Sequence, residues 1–504
     1  MSLFTPCGKS AVVIGAGLGG LSAAISLRVK GYDVTLVEKN NHVGGKLNER
    51  DVDGFSFDLG PSIFTLPHIF RDLFRRAGKN MEDYLSLERV TPHWRNFFED
   101  GIRLDLYEEP QLMQDELKKL DGDPDKNWND LQSFLSYARQ QYHLIDEGYF
   151  RRGLDTLREM LSHYGLLRLA GQFDCRKTMS ERIEYHFSDP YLRSVFEYFI
   201  KYVGSSAKDA PGYMNMMPVI QYDYGLWYVK GGLYELARAL KRLVDELDIE
   251  LQLGSETKTI ERSGDGKMVT KVVVENGEKI EADLVVCNME AVPAYRYLLR
   301  ESEGFLNKLE RRFSPACSGL VIHVGTDRVY DQLAHHNFFF SADQDGHFDS
   351  VFQRGELPED PTIYLVAPTR TDASKAPEGC DNLKILPHVP PIDPDHPLSN
   401  SDYEGFKERV LIKLEKMGLS DLRRHIVVED TLTPVDIEKM YRSNRGSIYG
   451  VVSDWRKNRG FKIPKQSSKY RNLFFTGGSI NPGGGMPMAV LCGQKVADRI
   501  ADAN

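Results

Sequence analysis

"AVVIGAGLGGLSAAISLRVKGYDVTLVEK", residues 11–39, packs a whole structural unit into one short stretch. Residues 11–14 form an apolar run suited to a buried parallel strand, and Gly15, Gly17 and Gly20 follow it as G-x-G-x-x-G. Leu21, Ala24 and Ile25 then recur at helical spacing until Gly31 stops the helix, and residues 34–37 make a second apolar strand ending at Glu38. Strand, glycine turn, helix and strand in this order predict a dinucleotide-binding α/β unit. Gly15 permits the tight turn, Gly17 lets the backbone approach a pyrophosphate, and Gly20 lets helix and strand pack closely. The free amides and positive dipole of the helix start favour the diphosphate. Glu38, 18 residues past Gly20, can accept hydrogen bonds from an adenosine ribose, and its charge disfavours the 2′-phosphate of NADP. A glycine-rich structural turn is the competing reading, and the flanking strands, helix and acid weigh against it.

Two further glycine turns extend the pattern. "NNHVGGK" (residues 40–46) follows the acidic strand end directly, and "NLFFTGGSINPGGGMPMAVLCGQKVADRI" (residues 472–500) again reads as apolar strand, glycine turn and helix. Apolar elements on both sides and the stiffening prolines argue against a flexible linker there. The two ends of the chain are therefore expected to close one nucleotide domain.

At 504 residues the chain is too long for one ordinary core, so two or three units with interleaved segments are expected. Lysine and arginine number 64 against 73 acidic residues, a net charge of −9, and no basic block is interleaved with aromatics, so nucleic acid is excluded as a partner. The six cysteines are scattered without C-x-x-C spacing and read as reduced cytosolic thiols, with no metal site. The apolar stretch at residues 11–27 carries patterned glycines and belongs to the fold rather than to a signal peptide. No other run approaches the roughly 20 apolar residues that span a bilayer, so membrane contact is expected to be peripheral.

Residues 110–218 read as a helical insertion rich in aromatics, either a packing layer or a cap over an apolar substrate. Next come an amphipathic helix and a set of short alternating strands broken by G-D-G and N-G turns, ending in the apolar strand 283–286. Residues 301–441 hold a second strand-rich region containing His335 and His336. Neighbouring residues on a strand point to opposite faces, so these two histidines are not expected to grip one metal. No Ser/His/Asp set, P-loop or HExxH helix is visible, which leaves hydrolase and kinase readings without support.

"NNHVGGK" and "FDLGPS" (residues 57–62) resemble elements of the FAD-dependent amine oxidase and phytoene desaturase superfamily. "GFSFDLGPSIFTLPHIF", "YFIKYVGSSAKDAP", "LAHHNFFF", "LEKMGLSDLRRHI", "YRSNRGSIYGVV" and "GGSINPGGGMPM" extend the resemblance over nearly the full length, to the carotenoid desaturase-type flavoproteins. Asn481, Gly484 and Met486 replace the His-Pro-Gly-Ala-Gly-Val-Pro-like pattern of the desaturases and tilt the resemblance towards the branch that oxidises a terminal methyl group of C30 carotenoids. Lys46 stands where many superfamily members have arginine, and Gly478-Ser479 replaces a Gly-Asp pair that holds the ribityl chain in many flavoproteins.

The resemblance implies an α/β fold: a Rossmann-like FAD-binding domain of the glutathione reductase-2/amine oxidase type, interleaved with a mixed-sheet substrate domain and a helical membrane-facing cap. FAD-binding segments are expected at 1–110, 221–300 and 441–504, the cap at 111–220 and the substrate domain at 301–440. The residues expected at FAD are Gly15, Ala16, Gly17, Leu18, Gly19, Gly20, Glu38, Lys39, Gly45, Lys46, Gly60, Pro61, Ser62, Thr257, Gly478, Gly485, Met486 and Met488. Asp146, Glu147, His335, His336 and Arg445 are the candidate polar groups at the reacting end. The implied activity is oxidation of the methyl terminus of a C30 carotenoid, with O2 or another electron acceptor, by a cytoplasmic enzyme resting on the inner membrane surface. A double-bond-forming desaturase and a carotenoid carrier without turnover are the alternatives. A polyene has almost no polar handle, so its recognition must come from burial, at about 25 cal/mol per Å² of apolar surface.

Overall fold

Strand Ser10–Ile14 lies at the centre of a five-stranded, wholly parallel sheet whose order is Leu473–Phe475, Leu284–Cys287, Ser10–Ile14, Asp33–Val37 and Glu250–Gln252. The computed structural model describes residues 6–503. Val12 pairs with Val285 on one side and Thr35 on the other, and residues 11–14 are buried, as an apolar run covered on both faces must be. Helix Leu18–Val29 follows the glycine turn and lies against the last helix, Met486–Asp502. A Cβ at Gly493 would come within 2.5 Å of the Gly19 carbonyl oxygen, so only glycine permits this approach; Ser22 Oγ seals it by donating to the Val490 carbonyl at 2.6 Å.

Between the strands of this sheet the chain makes a three-stranded antiparallel sheet (Thr257–Arg262, Val269–Val274, Lys279–Glu281) that shares its apolar core. A second large sheet is mixed. Its order is Ile426–Leu432, Val321–Thr326, Asp381–Val389, Ile363–Val366, His336–Phe339, Trp94–Phe97 and Arg103–Leu106, with Ser318–Gly319 added beside Asp381–Val389. Trp94–Phe97 joins parallel to His336–Phe339, whereas its other neighbours run antiparallel. Two of these strands lie before residue 110, so the expectation of one FAD-binding segment over 1–110 does not hold there. Their side chains explain it: Trp94 packs on Phe338 at 4.5 Å and Phe97 stacks on Phe339 at 4.6 Å, which commits them to the second core.

Residues 110–222 are mainly helical, including Pro124–Ile145 and the kinked Leu157–Gln172, where Gly165 takes a φ of +74°. This block packs on the second sheet through stacked rings, with Phe199 4.1 Å from Trp94. Aspartates and threonines open the helices where unpaired amides need acceptors: Asp123 caps Pro124–Ile145 and Thr156 forms a capping box with Glu159.

Candidate flavin and substrate cavity

The parallel strands end on one side in a cavity of about 900 Å³ that runs between the two sheets. Its first part is built from backbone. The amide of Gly15 donates to the Val37 carbonyl at 2.7 Å, closing the turn, and Gly17 opens the helix without a side-chain cap, which leaves helix-start amides free for an anion. A Cβ at Gly17 would lie 2.7 Å from Asn288 Nδ2, and one at Gly20 would lie 1.9 Å from the Gly15 carbonyl oxygen. Gly44 and Gly45 lie beside this turn, the Gly44 amide donating to the Ala16 carbonyl at 2.8 Å.

Of the residues expected at the cofactor, Gly15, Gly17, Leu18, Gly19, Glu38, Lys39, Gly45, Lys46, Gly60, Pro61, Ser62, Thr257, Gly478, Gly485, Met486 and Met488 line the cavity. Ala16 and Gly20 do not; they are buried within the turn and shape it. Glu38 accepts from the Ala16 amide at 2.7 Å and the Asn40 amide at 2.9 Å, so the same carboxylate that faces the cavity also braces the glycine turn. Lys46 Nζ is held by Glu290 at 3.1 Å and by the Ser447 carbonyl at 2.8 Å, an ion pair internal to the wall. Asn481 lies off the cavity: its Oδ1 accepts from the Lys462 amide at 2.7 Å and from the Tyr149 hydroxyl, and its Nδ2 donates to the Asp155 carbonyl at 3.2 Å. It braces three segments against the glycine turn. Thr257 Oγ1 and Asn288 Oδ1 are buried in the wall without a hydrogen-bond partner, and such atoms call for a ligand or water. A glycine cradle, uncapped helix starts and orphaned polar atoms fit the diphosphate, ribose and ring edges of FAD.

The second part of the cavity is apolar. Met214, Met216, Met217 and Ile220 face Val321, Leu386 and Ile448 across it, and Leu157, Leu161, Leu166 and Trp455 line it while remaining 38–70% exposed, so the cavity reaches the surface there. Three lysines interrupt this apolar lining. Lys384 donates to the Gly60 carbonyl and, at 3.1 Å, to Ser62 Oγ, and burial lowers its pKa to about 8 against the pull of Asp58. Lys462 donates to the Val451 carbonyl and is brought by burial to about 7. The Lys201 ammonium lies over the rings of Trp94, Tyr202, Phe338 and Tyr364, and burial pushes it well below the ordinary lysine range.

None of the five polar residues expected at the reacting end lines the cavity. Asp146 pairs with Arg151 at 2.7 Å; Glu147 pairs with Arg168 at 2.6 Å and His163 at 3.2 Å; Arg445 sits 4.0 Å from Glu310. Each is satisfied in place by a charge of opposite sign. His335 shares a hydrogen bond with Thr371 Oγ1 at 2.7 Å and is lowered by burial to about 3, and His336 shares one with the Tyr364 hydroxyl at 2.9 Å. His336 thus stands behind Tyr364, which does face the cavity. The two imidazoles meet edge to face, 4.4 Å apart, because His335 precedes the strand and escapes its alternation.

Asn288, Lys201, Lys384 and Lys462 were not singled out from the sequence. A signal for Asn288 was present, since it directly follows the apolar strand Leu284–Cys287 and so sits at the carboxyl edge of a parallel sheet. A lone lysine in "YFIKYVG" is the corresponding signal for Lys201.

Residues 18–501 match the model of the flavin-containing amine oxidoreductase family. The chain is 54% identical over 489 residues to 4,4'-diapolycopene oxygenase of Methylomonas sp., covering 97% of each chain. It is 48% identical over 495 residues to 4,4'-diaponeurosporene oxygenase of Staphylococcus aureus, covering 98% of each. Among solved structures, an oxidoreductase from Methanosarcina mazei superposes with a TM-score of 0.62 at 16% identity, over 97% of this chain and all of that one, a likeness of fold.

Proposed function

The chain belongs to the flavin-containing amine oxidoreductase family, and we propose that it is an FAD-dependent oxygenase that oxidises the terminal methyl group of a C30 carotenoid, with O2 as acceptor. The observation that carries this reading is the near-full-length identity to two C30 carotenoid oxygenases, joined to an apolar cavity that opens beside the glycine turns. FAD, when bound, supplies the two-electron oxidation of the allylic terminus. The residues of this chain hold and enclose. The helix-start amides at Gly17 and Gly485 take anionic and carbonyl oxygens, Thr257 and Asn288 satisfy their orphaned atoms on the cofactor, and Glu38 accepts from the ribose. Met214, Met217, Ile220 and Leu386 exclude water and orient the polyene by contact alone. Lys384, fixed by Gly60 and Ser62, places a titratable amine near that loop and is positioned to hold or release a proton there.

The test is to give purified flavin-loaded protein diaponeurosporene or diapolycopene in liposomes, in air, and to weigh the products. Gain of oxygen at a terminus is expected. Loss of hydrogen without oxygen would make the protein a desaturase, and anaerobic mixing without flavin bleaching would make it a carrier.

Among the described residues no helix is long and apolar enough to cross a membrane, and collection of the polyene from the bilayer surface is part of this proposal. The mouth suits that task. Leu166 and Leu167 are 70% and 90% exposed at the Gly165 kink, beside Leu157 and Leu161, and the exposed Arg152, Arg158, Arg456 and Arg459 flank them in the chain or at the rim. Apolar tips ringed by arginines fit an anionic lipid surface. Each buried leucine contributes about 1.5–3 kcal/mol, so Leu166→Ser with Leu167→Ser is expected to lower vesicle binding by at least roughly tenfold. Stability should change by less than about 0.5 kcal/mol, as at exposed positions. Co-flotation with anionic vesicles and a melting curve check both halves; unchanged flotation would remove this loop from the docking surface.

A further inference from the structure

Lys201 is 4% exposed and lines the cavity, yet among the described residues no carboxylate pairs with it. Its Nζ lies 3.9 Å from the ring centre of Tyr364, 4.0 Å from Phe338, 4.6 Å from Trp94 and 5.2 Å from Tyr202. Four rings hold the stem and tip in one place, and among the described residues Nζ makes no hydrogen bond, the Tyr364 hydroxyl being engaged with His336 and the Tyr202 hydroxyl with Gln221. A buried amine with unused N–H groups, facing an otherwise apolar chamber, is costly unless some occupant brings an oxygen. Lys201 sits on the short helix Tyr198–Val203 with its amine over Tyr364 of the second sheet; Tyr364 pairs with Leu386, and Lys384 lies two residues before Leu386 on the same face of that strand.

Resting on the carotenoid reading above, we propose that Lys201 Nζ is the docking point for the oxygen of a polyene terminus that has already been oxidised to the alcohol or aldehyde. A hydrocarbon end meets only rings and methyl groups there, whereas a carbonyl or hydroxyl oxygen accepts from the amine. Lys201 is thus a specificity-determining residue that favours partly oxidised carotenoid over carotene. Burial, which holds the amine below the usual lysine range, leaves its N–H groups as donors in either protonation state.

The experiment titrates flavin-loaded protein with vesicles carrying a C30 polyene aldehyde or its parent hydrocarbon. Wild type is expected to prefer the aldehyde by about tenfold, the worth of one buried hydrogen bond from a cationic or strongly polar donor. Lys201→Met should lose that preference while its hydrocarbon affinity stays within about twofold, and Lys201→Gln should keep part of it. A second readout uses wild type alone. Bound aldehyde within reach of the amine condenses to an imine with release of water, and borohydride delivers hydride to the C=N bond, leaving a stable secondary amine. Peptide mapping should place that adduct on Lys201. A preference that survives in Lys201→Met, or an adduct on Lys384 or Lys462 instead, overturns the proposal and leaves the carotenoid reading standing. Failure of wild type to take up the hydrocarbon as well as the aldehyde would overturn both.

Discussion

Replacing Asp155 by alanine is expected to destabilise the protein by about 3–5 kcal/mol, the cost of leaving a buried charge without its partner. Asp155 and Lys465 have side chains 1% exposed, and one carboxylate receives Lys465 Nζ, Arg499 and, at 3.2 Å, the Lys465 amide. Lys465 also donates to the Gly153 carbonyl at 3.1 Å, and Arg499 reaches Glu159 on the helix that leads to the cavity mouth. Removal of the carboxylate leaves the buried Lys465 amine without its charge partner and cuts the last helix loose from residues 153–159. The measurement is the denaturant midpoint of the flavin-free protein, which separates folding from cofactor binding. Asp155→Leu combined with Lys465→Met should recover much of the loss, since an apolar pair of similar volume removes both buried charges. If Asp155→Ala melts like wild type, the network is not what fastens the helical block to the cofactor domain.

Gly17→Val is expected to yield folded protein without flavin. Gly17 has a φ of −69°, which any residue adopts, so the change adds a side chain without straining the backbone. That side chain would have to pass Asn288 Nδ2 and fill the space before the helix start where the phosphates approach. A fall in FAD affinity of at least roughly 100-fold is expected, about 2.7 kcal/mol at 1.4 kcal/mol per tenfold. Equilibrium dialysis gives the affinity, and circular dichroism gives the fold. Gly15, with a φ of +93°, makes the contrast: there a valine should lower the melting point as well as the affinity. Retention of flavin by Gly17→Val would mean that the diphosphate lies elsewhere.

Legibility followed the range of the interactions. The unit from Ser10 to Val37 declares itself because its strands, turn and helix are contiguous, and Gly20 is required by a contact within that same stretch, with the Gly15 carbonyl oxygen. The last helix was legible for the same reason. Trp94–Phe97 carries no local sign that it will pair in parallel with His336–Phe339, more than two hundred residues away. The polar candidates lie off the cavity for a different reason. Asp146, Glu147 and Arg445 were picked for chemistry their side chains could perform, but each has an opposite charge near it, a fact of three dimensions. Lysines read as surface residues by default, so Lys201, Lys384 and Lys462, which line the cavity and are buried, went unmarked until their burial was seen.

The packing of Gly493 on Gly19 fixes an order of events during synthesis. The nucleotide unit precedes the elements that cover it: helix Leu18–Val29, almost wholly buried in the finished protein, packs on Pro67–Arg76 and Glu235–Glu246 but lacks its largest cover until residues 486–502 arrive. Until then the nascent chain carries a partly uncovered apolar helix and an incomplete phosphate cradle, a natural target for chaperones. Flavin uptake then reports that residues 473–502 have been made and packed, and a chain that lacks them is fit only for proteolysis.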